Sequence, residues 1–191
     1  MKWTVKMRNL NLKLAFMVFI VNIFITSVIP AFSDSAIIQN PSNKHWYKRF
    51  DTSMGWHTAK AFCERRGGYL ATITSQSENN FVWSHLASKA NKPGNIWLGA
   101  TNDKTDTGAY QWITGEVWSF TNWGPGEPSN WEAVPGGSEK YLQFFNAQQE
   151  PSGKWNDAGS YNQGEITPDG FRETSTICEW GGKGSWNFYS R

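Results

Sequence analysis

Cys63 and Cys178 are the only cysteines in the 191-residue chain, and more than a hundred residues separate them. Two cysteines admit one connectivity, and an even count in an exported chain predicts a bridge. Such a bond ties the beginning of whatever folds here to its end and leaves the intervening loops free to vary. In the chain-entropy model it stabilises by roughly 4–5 kcal/mol. The absence of a CxxC pair argues against redox or zinc chemistry.

Export is read from the first 33 residues. They carry Lys2, Lys6, Arg8 and Lys13 and no acid, followed by an apolar run from Leu14 to Ile29 interrupted at Asn22, Thr26 and Ser27. Ala31-Phe32-Ser33 places small residues where a signal peptidase acts, so residues 1–33 are expected to be a signal peptide; an uncleaved anchor is the rival reading. A secreted, extracellular or periplasmic protein follows. Removal of this segment turns a formal charge of +2 into −2. No basic run remains, which argues against nucleic acid and, after cleavage, membrane surfaces as partners.

Residues 34–44 are polar and read as a flexible leader, 45–181 as one domain, and 182–191 as a short tail. Apolar residues at Trp56, Ala59, Phe62 and Cys63 predict a helix between Thr52 and Arg66, stopped by Gly67-Gly68. Ser75 and Glu78 form a capping-box pattern opening a second helix with Phe81, Val82 and Leu86 on one face. Tyr69–Ile73, Ile96–Ala100, Ala109–Ile113, Tyr141–Phe145 and Ser175–Trp180 read as strands, and Trp118–Ser138 as a long loop. Helices first and strands later predict an α+β domain. The whole chain holds twelve Trp, twelve Phe and six Tyr, and most of those within the domain are expected to pack its core.

The loop carries the chemistry. Glu127-Pro128-Ser129-Asn130, Glu139 and Trp155-Asn156-Asp157 gather carboxylates and carboxamides on Gly- and Pro-rich backbone. Ca²⁺ takes six to eight such hard oxygen ligands. No HExxH, GxSxG or Ser/His/Asp arrangement points to catalysis. A hydrolytic pair would have to be recruited from Glu139 and Asp157, and a non-enzymatic module is the expectation. His45, His57 and His85 lie far from the loop in sequence and read as structural or exposed.

Trp46-Tyr47, the helix with Cys63, Gly67-Gly68, Tyr69-Leu70-Ala71, Trp97-Leu98-Gly99-Ala100, Gly126-Glu127-Pro128, Trp155-Asn156-Asp157 and Cys178-Glu179-Trp180 occur in an order that resembles the C-type lectin domain. The resemblance spans roughly residues 45–181. It implies two helices, a mixed sheet and a long loop region in which Ca²⁺ ligates vicinal hydroxyls of a carbohydrate. It assigns Glu127 with Ser129 or Asn130 to the first arm of the site, Glu139 to the middle, and Asn156 with Asp157 to the last arm. It also implies a cis Glu127-Pro128 bond, an apolar sugar face on Trp131, and, from Glu127, a mannose- or glucose-type ligand. An auxiliary ion would fall on Asn102 and Asp106 with Glu139 shared.

The chain departs from the family pattern at three places. Ser129 stands where sugar-binding members usually have Asn, so either its hydroxyl ligates or Asn130 substitutes. The inner disulfide is missing, with Lys140-Tyr141 where a Cys is expected. The segments after Glu127 and after Asp157 are longer than in compact members. These departures keep a second reading open, in which the module binds a protein or another surface without calcium.

Overall fold

The computed structural model describes residues 34–90, 94–103, 105, 107–132, 138–145, 152–159 and 175–181. Its internal contacts divide the chain into residues 1–31 and 32–191. Residues 1–33, expected to be a signal peptide, residues 182–191, expected to be a tail, and Asp106 lie outside the described residues. Among the described residues no helix is long and apolar enough to cross a membrane.

Among the described residues, eight strands form one mixed sheet accompanied by two α-helices. They are β1 (Ile38–Gln39), β2 (Trp46–Phe50), β3 (Tyr69–Leu70), β4 (Ile96–Thr101), β5 (Gln111–Trp112), β6 (Tyr141–Phe144), β7 (Trp155–Ala158) and β8 (Ser175–Trp180). The order is β1-β2-β8-β4-β6-β7, with β3 also on β8 and β5 also on β4. Among the described strands only β4 and β8 pair in parallel, Ile96 facing Ser175 and Trp97 facing Thr176. The central strands β4 and β8 are buried along their whole length; β4 reads as an apolar run rather than an alternation, whereas β8 buries Ser175, Thr176 and Glu179 among its apolar residues.

The first helix, α1 (Trp56–Glu64), begins four residues later than the earliest predicted position, after Gly55 in an extended conformation. Trp56, Ala59 and Cys63 are its buried face. The second, α2 (Gln76–His85), is capped as expected by Ser75, whose side chain accepts from the Glu78 N–H at 3.2 Å. Glu78 does not complete a reciprocal box. Its Oε2 instead accepts from the Thr74 N–H at 2.7 Å, and its Oε1 turns into the core.

Three strands lie where none was expected. β2 carries Lys48 and Arg49 in its middle, which hides it from a search for apolar alternation. Arg49 is nonetheless buried, held by Asp51 through Nε at 2.7 Å and Nη2 at 3.0 Å, and it donates to the Leu86 carbonyl at the end of α2. β1 lies in the 34–44 segment expected to lack fixed structure. There the Ser35 N–H donates to Arg49 O, and the turn between β1 and β2 is closed by an Asn40 N–H bond to His45 O. Backbone pairing, invisible in a polar sequence, orders this segment. The third is β7, which holds Trp155-Asn156-Asp157 as an edge strand on β6.

The Cys63–Cys178 bridge joins α1 to β8 with Cα atoms 5.4 Å apart. Two apolar clusters flank the sheet, one around Trp155, Phe144 and Leu98, the other around Trp97, Trp56 and the bridge itself. Gly99 lets them meet. A Cβ there would stand 2.3 Å from the Leu70 carbonyl oxygen, so the close approach of β4 to the 70–71 backbone requires glycine.

Candidate functional site

β6 and β7 form the edge opposite β1, and the described part of the long loop is tied to it by the Gly124 N–H on Trp155 O and the Trp155 N–H on Asn122 O. The Glu127-Pro128 bond is cis, and Asn130 follows with φ +49°, a left-handed conformation that Asn tolerates. Asp157, on β7, is fully buried, and Glu139, just before β6, is nearly so.

These residues converge on Ser129. Its N–H lies 2.9 Å from both Glu127 Oε2 and Asp157 Oδ1. Its hydroxyl donates to Glu139 Oε2 at 2.6 Å and stands 3.5 Å from Asp157 Oδ1. The Asn130 N–H donates to Asp157 Oδ2 at 2.8 Å, and the Trp131 N–H to Glu139 Oε2 at 3.3 Å. Three carboxylates from segments 127, 139 and 157 thus gather around one serine.

Two predicted residues sit differently. The Asn130 carboxamide turns outward, donating to Pro128 O and accepting from Asn102 Nδ2 at 3.1 Å. Asn156 is half-buried on β7, and among the described residues its side chain takes no part in the hydrogen bonds around Ser129. Trp131 lies beside the carboxylates with about half its surface open to solvent. Trp155 is fully buried and packs against Trp112, Trp118, Trp123 and Phe120 as the foundation of the loop.

The electrostatics are those of crowded acids. Burial is the first cause pushing Glu127 from its ordinary 4.5 up to about 7, followed by its hydrogen bond to Asp157 and that residue's negative charge. Like charges brought together in partly dry surroundings favour a proton or a cation. All the donor atoms on offer are hard oxygens, the set that suits Ca²⁺. Asn102 Oδ1, beside Asn130, is buried without a hydrogen-bond partner, so an acceptor stands ready at the same rim.

Sequence reasoning missed two features. Tyr110, placed only in a strand, directs its hydroxyl at Asp157 Oδ2 from 3.3 Å. The second feature is a buried polar centre elsewhere in the domain, where β2, β8 and α2 meet. There His45, Glu78 and Glu179 bring their ligand-capable atoms within 4.8 Å of one another. Glu179 Oε1 meets His45 Nδ1 at 2.5 Å and the hydroxyls of Tyr47 and Tyr69, while Oε2 accepts from the Thr72 N–H at 2.8 Å. Tyr47 also donates to Glu78 Oε1 at 2.6 Å. The hydrogen bond to Glu179 is the main cause holding the His45 imidazolium above its usual pKa. No spacing links His45 to Glu179, 134 positions away, and only the pairing of β2 with β8 makes them neighbours.

A disulfide-closed α+β domain bearing an acidic loop on one sheet edge defines a class of loop-borne binding modules. The match to the family model of the lectin C-type domain covers residues 52–167, and the chain belongs to that family. It is 29% identical to human C-type lectin domain family 10 member A over 123 residues, which are 63% of this chain and 34% of that protein. The chain therefore spans about a third of the length of this relative. The C-type carbohydrate-recognition domain of cow CD23, solved in the presence of a GlcNAc2Man3 oligosaccharide, superposes with a TM-score of 0.58 at 24% identity, covering 78% of this chain and 95% of that one. A calcium-independent type II antifreeze protein superposes with a TM-score of 0.54 at 22% identity, covering 76% and 95%. At these identities the two structures speak for the fold. Family membership agrees with the reading of a non-enzymatic binding module.

Proposed function

We propose that the domain is an exported, calcium-dependent lectin whose ion is held by Glu127, Ser129, Glu139 and Asp157. The observation that supports this most is the convergence of three carboxylates around the Ser129 hydroxyl beside an exposed Trp131. When bound, Ca²⁺ supplies open coordination positions for vicinal hydroxyls of a carbohydrate. The protein's own groups do the rest. Glu127 and Glu139 accept hydrogen bonds from those hydroxyls. Asn156, and Asn130 after a turn of its carboxamide, offer N–H donors. Trp131 presents an apolar ring against which a pyranose face can rest. Glu127 at the head of the motif favours a mannose- or glucose-type ligand. A single site of this size binds a monosaccharide feebly, and clustered ligands raise the avidity.

The test is retention on immobilised mannose in millimolar Ca²⁺, followed by elution with chelator, for the wild type and Glu127→Gln. Retention that chelator releases and E127Q lacks is the expected result. Equal retention with and without chelator overturns the calcium requirement.

One observation favours the second reading, a calcium-independent module binding a protein or other surface. The carboxylates around Ser129 are already met by the N–H groups of residues 129, 130 and 131, so the loop has an ion-free way to hold its shape.

A further inference from the structure

Asp157 is gripped from two sides. On one side, the loop offers Oδ1 the Ser129 N–H at 2.9 Å and the Ser129 hydroxyl at 3.5 Å, so this oxygen faces the gathering of carboxylates. On the other, Oδ2 receives the Asn130 N–H at 2.8 Å and the Tyr110 hydroxyl at 3.3 Å. Asp157 itself is fully buried, and which of its oxygens points at the cluster is therefore decided by these few donors.

Tyr110 comes from a separate segment, and the aromatic base of the loop holds its ring. Its ring is 7% exposed. It stacks on Trp118 at 5.9 Å and 27°, and meets Trp123 edge-on at 5.0 Å. Both indoles pack in turn on the buried Trp155, two residues before Asp157. A phenylalanine would fill this slot with the same ring. The hydroxyl is the part that packing does not need, and it is the donor that reaches Asp157 Oδ2. The segment that precedes it makes a second contact with the loop, since Asn102 Nδ2 donates to Asn130 Oδ1 and to Gly108 O.

We propose that Tyr110 is a positioning residue for the ion site: its hydroxyl holds Asp157 Oδ2 on the core side so that Oδ1 faces Glu127, Ser129 and Glu139. This rests on the calcium reading above. Partners that orient a ligating carboxylate without touching the ion ordinarily tune metal affinity by one to two orders of magnitude. At 3.3 Å, the lower end of that range applies here.

The experiment compares full-length wild type, Tyr110→Phe and Trp118→Phe. Affinity is read by isothermal titration with Ca²⁺ and by sensitised Tb³⁺ luminescence. The shape of the ion-free loop is read from the amide resonances of Ser129 and Asn130 in chelator. The expected result is a Ca²⁺ affinity about tenfold weaker in Y110F, with both amide resonances displaced and a melting temperature in chelator close to wild type. W118F keeps the hydroxyl but trims the stacked ring. It should melt earlier and bind Ca²⁺ as the wild type does. Unchanged affinity in Y110F with normal wild-type binding overturns the role of Tyr110 and leaves the calcium reading standing. Equal weakening in Y110F and W118F assigns the effect to packing and overturns it as well. A wild type that binds neither ion overturns the calcium reading and this inference together.

Discussion

Two groups of acids on this domain meet the same electrostatic problem with opposite solutions. On the core side, Glu179 and Glu78 are buried with an imidazole between the strands, and both oxygens of each carboxylate are met by tyrosine or threonine hydroxyls, side-chain N–H or backbone N–H. At the loop, Glu127, Glu139 and Asp157 surround a serine. Among the described residues, the donors to Glu127 and Asp157 are backbone N–H groups and hydroxyls. One cluster holds its own base, the His45 imidazole, whose protonation the hydrogen bond to Glu179 favours. The other has dipoles where a charge would serve better, which is the condition for recruiting an ion from solution.

The largest effect expected on this contrast is at the core cluster. Glu179→Gln leaves His45 without its buried counter-charge, and breaking such a pair costs about 3–5 kcal/mol, measured by urea unfolding. The calcium response should survive the substitution, since the two clusters lie on different parts of the sheet. Loss of that response would join what the comparison separates.

Next in size is the ion itself. Calcium at a hundred times its Kd should add about 2.7 kcal/mol to wild-type stability, a rise of several degrees in melting temperature for a domain of this size. Asp157→Ala should abolish the increment. An unchanged increment in D157A removes Asp157 from the ligand set.

The two clusters should also respond differently to pH. The folded pKa of His45 is raised, so its contribution is fully present below its unfolded value and is lost as pH rises through the folded value. Glu127 is raised as well, from 4.5 to about 7. Its protonated form is favoured by the fold, so its contribution to ion-free stability is fully present below about 4.5, declines as pH rises through about 7 and levels off above that. In chelator both trends run the same way. Calcium should offset the part due to Glu127 and leave that of His45, while His45→Gln should do the reverse. Melting curves from pH 5 to 9 check this, and a calcium effect that does not shrink as pH falls through about 7 contradicts the Glu127 assignment.

The smallest effect belongs to Ser129→Asn. If this position ligates, the amide carbonyl should tighten binding of both Ca²⁺ and mannose by a few-fold, about 1 kcal/mol. No change in either titration transfers the role to Asn130.

Much of this was legible beforehand, for reasons that differ by residue. The helices were written in local periodicity and in the Ser75 cap, and the bridge followed from there being only two cysteines. The loop motif could be seen because the backbone keeps Glu127, Ser129 and Asn130 adjacent. What stayed hidden depended on long-range pairing. Arg49 reads as a surface charge until Asp51 and the end of α2 enclose it. His45 and Glu179 have no relation in sequence, and Tyr110 looks like any other strand aromatic until its hydroxyl is found on Asp157. Ser129 against Asn130 was undecidable from spacing, because the left-handed turn at Asn130 sends adjacent side chains in different directions.

The bridge between α1 and β8 has a mechanical consequence. A load drawn between β2 and β8 can extend the chain before Cys63 and after Cys178, but the 115 positions spanned by the bond cannot be pulled straight while it stays intact. Every residue assigned to the loop site lies within that span. At roughly 3.3–3.6 Å per extended residue, several hundred ångströms of contour remain locked. Under tension a domain closed in this way keeps the loop outside the loaded chain, until a reductant cuts the one bond that shelters it.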